Sequence, residues 1–303
     1  IMSSYFYNVS LPLQKITDDR QNTLTPKLNF RFNPHEMKYH ANTGGRIDIG
    51  NVFSSSRLDM GDSYEAGESF TVGLDFNKKK VSQVSKVVEI DSVSIDYENL
   101  TDYEIKKKLK GASDFKKEIV EEIEEYFDFK LATVFRFNKE ENIPIKSTLN
   151  EKSSNVFGIV NYKPIKDLKL TYEFSLTNDF NTIEYNSIAA KYTSDHFSTE
   201  FNFLEETGVV GDHNSIFNET KLVNFNDYHN LSFSTRRNRK LNLTEYYDIV
   251  YEYKNDCLTA GIKYRKDYYN DSDIIPKEEL FFSLTIVPFY TFSPDKMILN
   301  KNR

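Results

Sequence analysis

The sequence predicts an all-β protein: an antiparallel transmembrane β-barrel segment of about thirteen strands with one small helical insert. Three observations carry this. Segment after segment alternates apolar and polar residues with period two. The 303 residues include 20 Tyr and 24 Phe but no Trp. Aromatics suit a pleated, half-buried surface and the interfacial girdles of membrane barrels. The connections alternate between short turns and longer polar loops, as in outer-membrane barrels.

Composition excludes several classes. The hydrophobic fraction is 39%, and no stretch approaches the roughly 18 apolar residues of a membrane-spanning helix. A barrel strand shows lipid only alternate residues, so low mean hydropathy is compatible with a membrane location. The formal net charge is −7, with acids and bases intermixed, and no basic face for nucleic acid arises. An acidic disordered chain would be poor in aromatics.

The strands are expected near residues 3–14, 22–32, 65–78, 128–137, 153–162, 167–178, 183–193, 196–206, 214–223, 227–236, 243–254, 256–268 and 279–291. In 167–177, Leu168, Leu170, Tyr172, Phe174 and Leu176 oppose Lys169, Thr171, Glu173 and Ser175. Phe197, Thr199, Phe201 and Phe203 likewise oppose Ser198, Glu200 and Asn202. Tyr247, Ile249, Tyr251 and Tyr253 oppose Asp248, Val250 and Glu252, and Leu258, Ala260, Ile262 and Tyr264 oppose Gly261, Lys263 and Arg265. A charged second face suits a water-filled lumen better than a sandwich core. Glu173, Glu200, Asp248, Glu252, Lys263 and Arg265 are therefore expected to face a lumen.

Three units follow: strands and a long external loop over 1–78, a helical periplasmic insert over 79–127, and strands over 128–303. In the insert, Thr101 to Glu104 fits a capping box, and Gly111 could end that helix. Phe115, Ile119, Ile123 and Tyr126 recur at helical spacing. The alternation of turns and loops places the insert and the C-terminus on the periplasmic side. The start at Ile1–Met2–Ser3 shows no signal peptide, so a piece of a longer precursor is expected.

Catalytic chemistry is not expected. His35, Glu36 and His40 miss the zinc-protease spacing by one residue. No nucleophile elbow, phosphate loop or zinc spacing is present, so neither enzyme activity, cofactor nor metal is expected. The basic run Arg236 to Lys240 reads as a solvated loop or an anion contact at a membrane surface. Cys257 is the single cysteine, so an internal bridge is excluded, and it is either a buried small hydrophobe or half of a bridge to something outside this chain.

Two stretches carry a family resemblance. The first runs from Arg46 through Asn51–Val52–Phe53–Ser54 and Arg57 to Asp62, Glu65, Gly67 and Phe70–Leu74. The second runs from Thr235 to Arg239, Leu243 to Asp248 and Tyr251 to Tyr269, and ends in Leu280 to Leu284. Together they resemble the C-terminal barrel half of the LptD family of lipopolysaccharide-assembly proteins. The resemblance implies the last thirteen strands of a barrel of about 26, preceded by a periplasmic jellyroll. It implies insertion of lipopolysaccharide into the outer leaflet of a Gram-negative outer membrane through a lateral gate. The last strand, with Phe282, Leu284, Ile286 and Pro288, would form one side of that gate, weakened by the missing N–H of Pro288. The implied partners are lipopolysaccharide, an LptE-like plug lipoprotein and an LptA-like periplasmic bridge bound by the N-terminal domain. Cys257 would be bridged to that domain, with a free thiol as the alternative. The runner-up function is a passive porin or receptor-type outer-membrane barrel.

Overall fold

The alternation is realised as one antiparallel sheet. The computed structural model describes residues 4–88, 116–268, 277–286, 290–292 and 297–298. Its strands are β1 (Tyr5–Ser10), β2 (Leu13–Ile16), β3 (Arg20–Asn33), β4 (Gly67–Val88), β5 (Lys116–Arg136), β6 (Val156–Ile165), β7 (Leu168–Leu176) and β8 (Ile183–Thr193). They continue with β9 (Phe197–Glu206), β10 (His213–Phe225), β11 (His229–Asn238), β12 (Leu243–Lys254), β13 (Leu258–Asp267), β14 (Glu278–Ile286), β15 (Tyr290–Phe292) and β16 (Met297–Ile298). β1 and β2 both pair with β3, and β15 and β16 both pair with β14, so the sixteen strands fill fourteen positions in sequence order. The break between β1 and β2 falls at Leu11–Pro12, where proline has no N–H for the ladder.

Fourteen positions replace the expected thirteen. Ile286 pairs antiparallel with Tyr290, so two strands, β14 and β15, stand where a single strand was expected over 279–291. The run Ile286–Val287–Pro288–Phe289–Tyr290 has no charged or amide residue to separate them in the sequence. Pro288 lies outside the described residues. β14 is flanked by β13 on one side and by β15 and β16 on the other, so it does not border the sheet as the gate reading required. The fourteenth position runs back toward the long-loop end, opposite to the expected direction.

The helical insert is also corrected. β4 and β5 continue as a ribbon from Lys79 paired with Glu125 to Val88 paired with Lys116. β3 reaches only Lys80 of β4, and β6 only Phe127 of β5. Beyond Val81, whose N–H donates to the Asp19 carbonyl at 2.9 Å, the described residues of the two strands pair only with each other. In the ladder Val81 is the partner of Ile123 and Val84 of Val120, and β-branched residue types favour extended chain over helix. Lys79 with Glu125 and Lys80 with Glu124 set opposite charges across the ladder. The expected capping box Thr101–Glu104, Gly111 and Phe115 lie outside the described residues. Among the described residues the one helical element is the 3-10 turn Ile145–Ser147, and no helix is long and apolar enough to cross a membrane.

The register divides the sheet into two unlike faces. On the outer face Leu28 stands by Val72, Phe30 by Phe70 and Phe135, and Tyr162 by Leu170, Ala190 and Phe201. Further along, Leu222, Leu231, Tyr251, Ile262 and Phe282 form one row. All five of these are exposed despite their apolar character. The other face is covered at one end by the long connections 34–66 and 137–155. Val52, Ile143 and Leu149 from these loops are fully buried and pack with Ala132, Val134 and Phe157 of the strands. Phe53 lies against Gly73, where a Cβ would come within 2.5 Å of its ring. The absent side chain lets the loop reach the sheet.

Candidate functional site

Under the loops, one carboxylate collects three guanidinium groups. Arg31 in β3 and Arg136 in β5 follow the inward alternation of their strands, and Arg57 and Glu65 come from the 34–66 loop. Arg57 donates Nε to Glu65 Oε2 at 2.8 Å and Nη2 to Oε1 at 2.5 Å. Arg136 donates Nη1 to Oε1 at 2.6 Å and Nη2 to the Ala66 carbonyl at 2.6 Å. Arg31 Nε stands 3.7 Å from Oε2, while its Nη atoms donate to the Ser54 and Ser55 carbonyls. All four side chains are essentially removed from water. Burial opposes ionisation of Glu65, but the charge and hydrogen bonds of Arg57, then the charges of Arg31 and Arg136, outweigh it and hold its pKa at about 2. This cluster fixes the loop against the wall. The spare hydrogens of Arg57 go to Thr71 Oγ1 and Ser69 Oγ, both at 3.1 Å.

Beside the loop, a cavity of about 390 Å³ opens between the 34–66 segment and β7 to β9. Arg46, Asp48, Lys146, Glu173, Tyr185 and Glu206 supply its polar lining. Arg46 donates Nη1 to Glu206 Oε1 at 2.5 Å, and its guanidinium lies 5.1 Å over the Tyr185 ring. Behind it, Asn155 Nδ2 donates to Ser175 Oγ at 3.0 Å and to Glu184 Oε2 at 2.6 Å.

Away from the loops, the covered face carries charges in cross-strand order. Glu200, Glu219, Ser234, Asp248, Arg265 and Glu279 are successive partners across β9 to β14. The like pair Glu200 and Glu219 is offset by Lys191, 3.4 Å from Glu200, and Lys221, 2.7 Å from Glu219. Asp248 takes Lys263 at 3.3 Å and Arg265 at 3.8 Å. Asn230 donates to Glu252 Oε1 at 3.0 Å.

The register places Glu173, Glu200, Asp248, Glu252, Lys263 and Arg265 on this one face. It brings Asp248, Lys263 and Arg265 together, and puts Glu173 in the cavity, apart from them. Phe282, Leu284 and Ile286 are exposed on the outer face. Cys257 is exposed in the 255–257 turn, not a buried hydrophobe, and its N–H donates to Asn255 Oδ1 at 3.0 Å. The basic run is largely paired. Arg236 meets Glu245 at 3.1 Å, Arg237 donates to Asn242, Lys240 meets Asp212, and Arg239 stacks over Phe203. Among the described residues no group of three His, Cys, Asp or Glu side chains could hold a metal ion. Sequence reading missed Arg31, Arg136, Tyr185 and Glu206 as site residues. Alternation alone gives the face of each, but the loop that joins them is irregular.

No family model matches the chain, and no curated protein matches it. Among solved structures, a triple mutant of the Rhodopseudomonas blastica porin is similar at 14% identity, with 95% of this chain and 87% of that one covered and a TM-score of 0.33. Acinetobacter baumannii OccAB4 is similar at 11% identity, with 93% and 80% covered and a TM-score of 0.30. The LptD-family assignment is corrected: these similar structures are a porin and an Occ protein, not LptD proteins. Lipopolysaccharide assembly is corrected with it. The residues behind the resemblance have a packing explanation: Arg57 and Glu65 close the buried ion cluster, and Gly67 holds φ +78° where the chain enters β4.

Proposed function

We propose that the chain forms an outer-membrane β-barrel that passes small hydrophilic solutes without chemistry. One observation carries this reading: from β3 to β14 large apolar residues stand exposed on one face of the sheet, and from β8 to β14 the other face carries paired charges. Exposed apolar area on that scale exceeds what soluble monomers carry, whereas lipid accommodates it. In hydrocarbon, open strand edges are not tolerated. The two outer positions, β1 with β2 and β15 with β16, therefore close on each other, or on further strands, in the membrane. The charged face then lines an aqueous lumen, with the 34–66 loop folded inside it. The reading carries no enzymatic step, no cofactor and no nucleic-acid partner.

The test is single-channel recording in planar bilayers after refolding. Discrete conductance steps are expected, and deletion of residues 35–62 should enlarge them. A refolded, heat-modifiable protein that conducts nothing, with or without the loop, would refute passive passage.

A further inference from the structure

We propose that the cavity beside the 34–66 loop is a binding site for a small organic cation, a primary ammonium bearing an apolar arm. The charges on its lining decide the sign. Arg46 and Glu206 satisfy each other at 2.5 Å, and the Arg46 guanidinium is also laid on the Tyr185 ring. Two carboxylates, Asp48 and Glu173, then remain against one cation, Lys146.

Their positions are unequal. Lys146 is exposed on the 3-10 turn Ile145–Ser147, where water solvates its ammonium. Asp48 spends one oxygen, Oδ1, on the N–H groups of Gly50 and Asn51 at 2.7 and 3.0 Å. Glu173 is half-buried on β7, with the charges of Asp48 and Arg46 nearby but no hydrogen bond or salt bridge of its own among the described residues. A half-buried carboxylate whose nearby guanidinium is already paired with another carboxylate gains from a cationic donor.

The rest of the lining defines the arm. Ile47, Phe157 and Val210 are buried, and Ile49 and Leu204 are half-buried, all around the same space. The volume of about 390 Å³ falls within the range of small-molecule sites. An inorganic cation would leave this apolar wall unused, and a carboxylate ligand would meet Glu173 and Asp48. An alkyl- or arylammonium satisfies both parts.

Binding to this site is independent of passage through the barrel, so it is measured at equilibrium. Refolded full-length protein in detergent is titrated with benzylammonium chloride by calorimetry. Saturable binding at one site is expected, weakened at least about tenfold by Glu173→Gln. Benzyl alcohol and phenylacetate should each bind at least about tenfold more weakly than benzylammonium. Leu204→Phe, which fills the apolar wall without changing charge, should weaken binding as well, and Glu219→Gln, on the same face near Lys221, should not. Absence of binding, equal affinity for benzyl alcohol, or an unchanged affinity in both Glu173→Gln and Leu204→Phe would overturn the proposal. A protein that binds benzylammonium but never conducts would keep this site and remove only the channel reading.

Discussion

Arg57 and Glu65 form a two-point ion pair, Nε to Oε2 at 2.8 Å and Nη2 to Oε1 at 2.5 Å, with both side chains almost wholly buried. Removing the carboxylate leaves Arg31, Arg57 and Arg136 as buried charges without an anion. Glu65→Gln is therefore expected to destabilise the 34–66 loop by about 3–5 kcal/mol. Limited proteolysis of refolded protein should show new cleavage inside 34–66 while the strands stay protected. Protection equal to the parent protein would contradict the role given to the pair.

The same pair sets an acid limit. Glu65 has its pKa lowered from 4.5 to about 2. A lowered carboxylate contributes stability that is present above its unfolded value and is lost as pH falls toward the folded one. The contribution, about 3 kcal/mol from the shift, should thus be intact above about pH 4.5 and fade toward about pH 2. Amide hydrogen exchange over 46–66, corrected for intrinsic rates, should accelerate across that window and do so less in Glu65→Gln.

Gly73 and Phe53 make a second fastening of the loop. A Cβ at Gly73 would meet the Phe53 ring at 2.5 Å and the Leu131 carbonyl oxygen at 3.0 Å. Gly73→Ala should cost about 1–3 kcal/mol through overpacking, read as a lower urea midpoint for loop exposure. Phe53→Ala in the same chain should recover part of the loss from Gly73→Ala, because it removes the obstructing ring.

Gly208 has φ +66°, and a Cβ there would stand 2.4 Å from Glu184 Oε1. Gly208→Ala should destabilise by about 1–2 kcal/mol from backbone strain alone. The double change with Glu184→Ala separates strain from collision. If the double variant fully regains parent stability, the left-handed backbone is not a source of the cost.

The two faces predict opposite tolerance for the same residue type. Ile262→Arg, at the middle of β13 on the exposed apolar face, should cost about 2–4 kcal/mol in a lipid bilayer. Ser234→Arg, opposite Asp248 on the charged face, should cost little. Equal losses in vesicle unfolding experiments would show that the outer face does not meet lipid.

Period-two alternation made β7, β9, β12 and β13 legible, because each strand exposes an apolar and a charged face in turn. It failed where the pattern did not describe the environment. The stretch Ile119 to Tyr126 has helical spacing, but its Val81 and Val84 partners lie more than thirty residues away in sequence and are invisible locally. The separation of β14 from β15 has no charged or amide residue to mark it in the sequence between Ile286 and Tyr290. Arg57 and Glu65 stood in a segment already singled out, yet their meeting with Arg31 and Arg136 depends on an irregular loop that no periodicity describes. The cavity was hidden for the same reason, since Arg46 and Asp48 come from that loop and Glu173 from the wall.

The 34–66 loop packs on β4 to β6 and reaches β9 through Arg46 and Glu206, whereas the charged rows run on along β9 to β14. In a closed barrel the open bore is then eccentric, bounded by folded loop on one side and by a charged track on the other. Girth is set by the number of strands, and aperture by the loop. On the proposed channel reading the two vary independently, and changes in the loop would tune what passes while the lipid-facing surface stays the same.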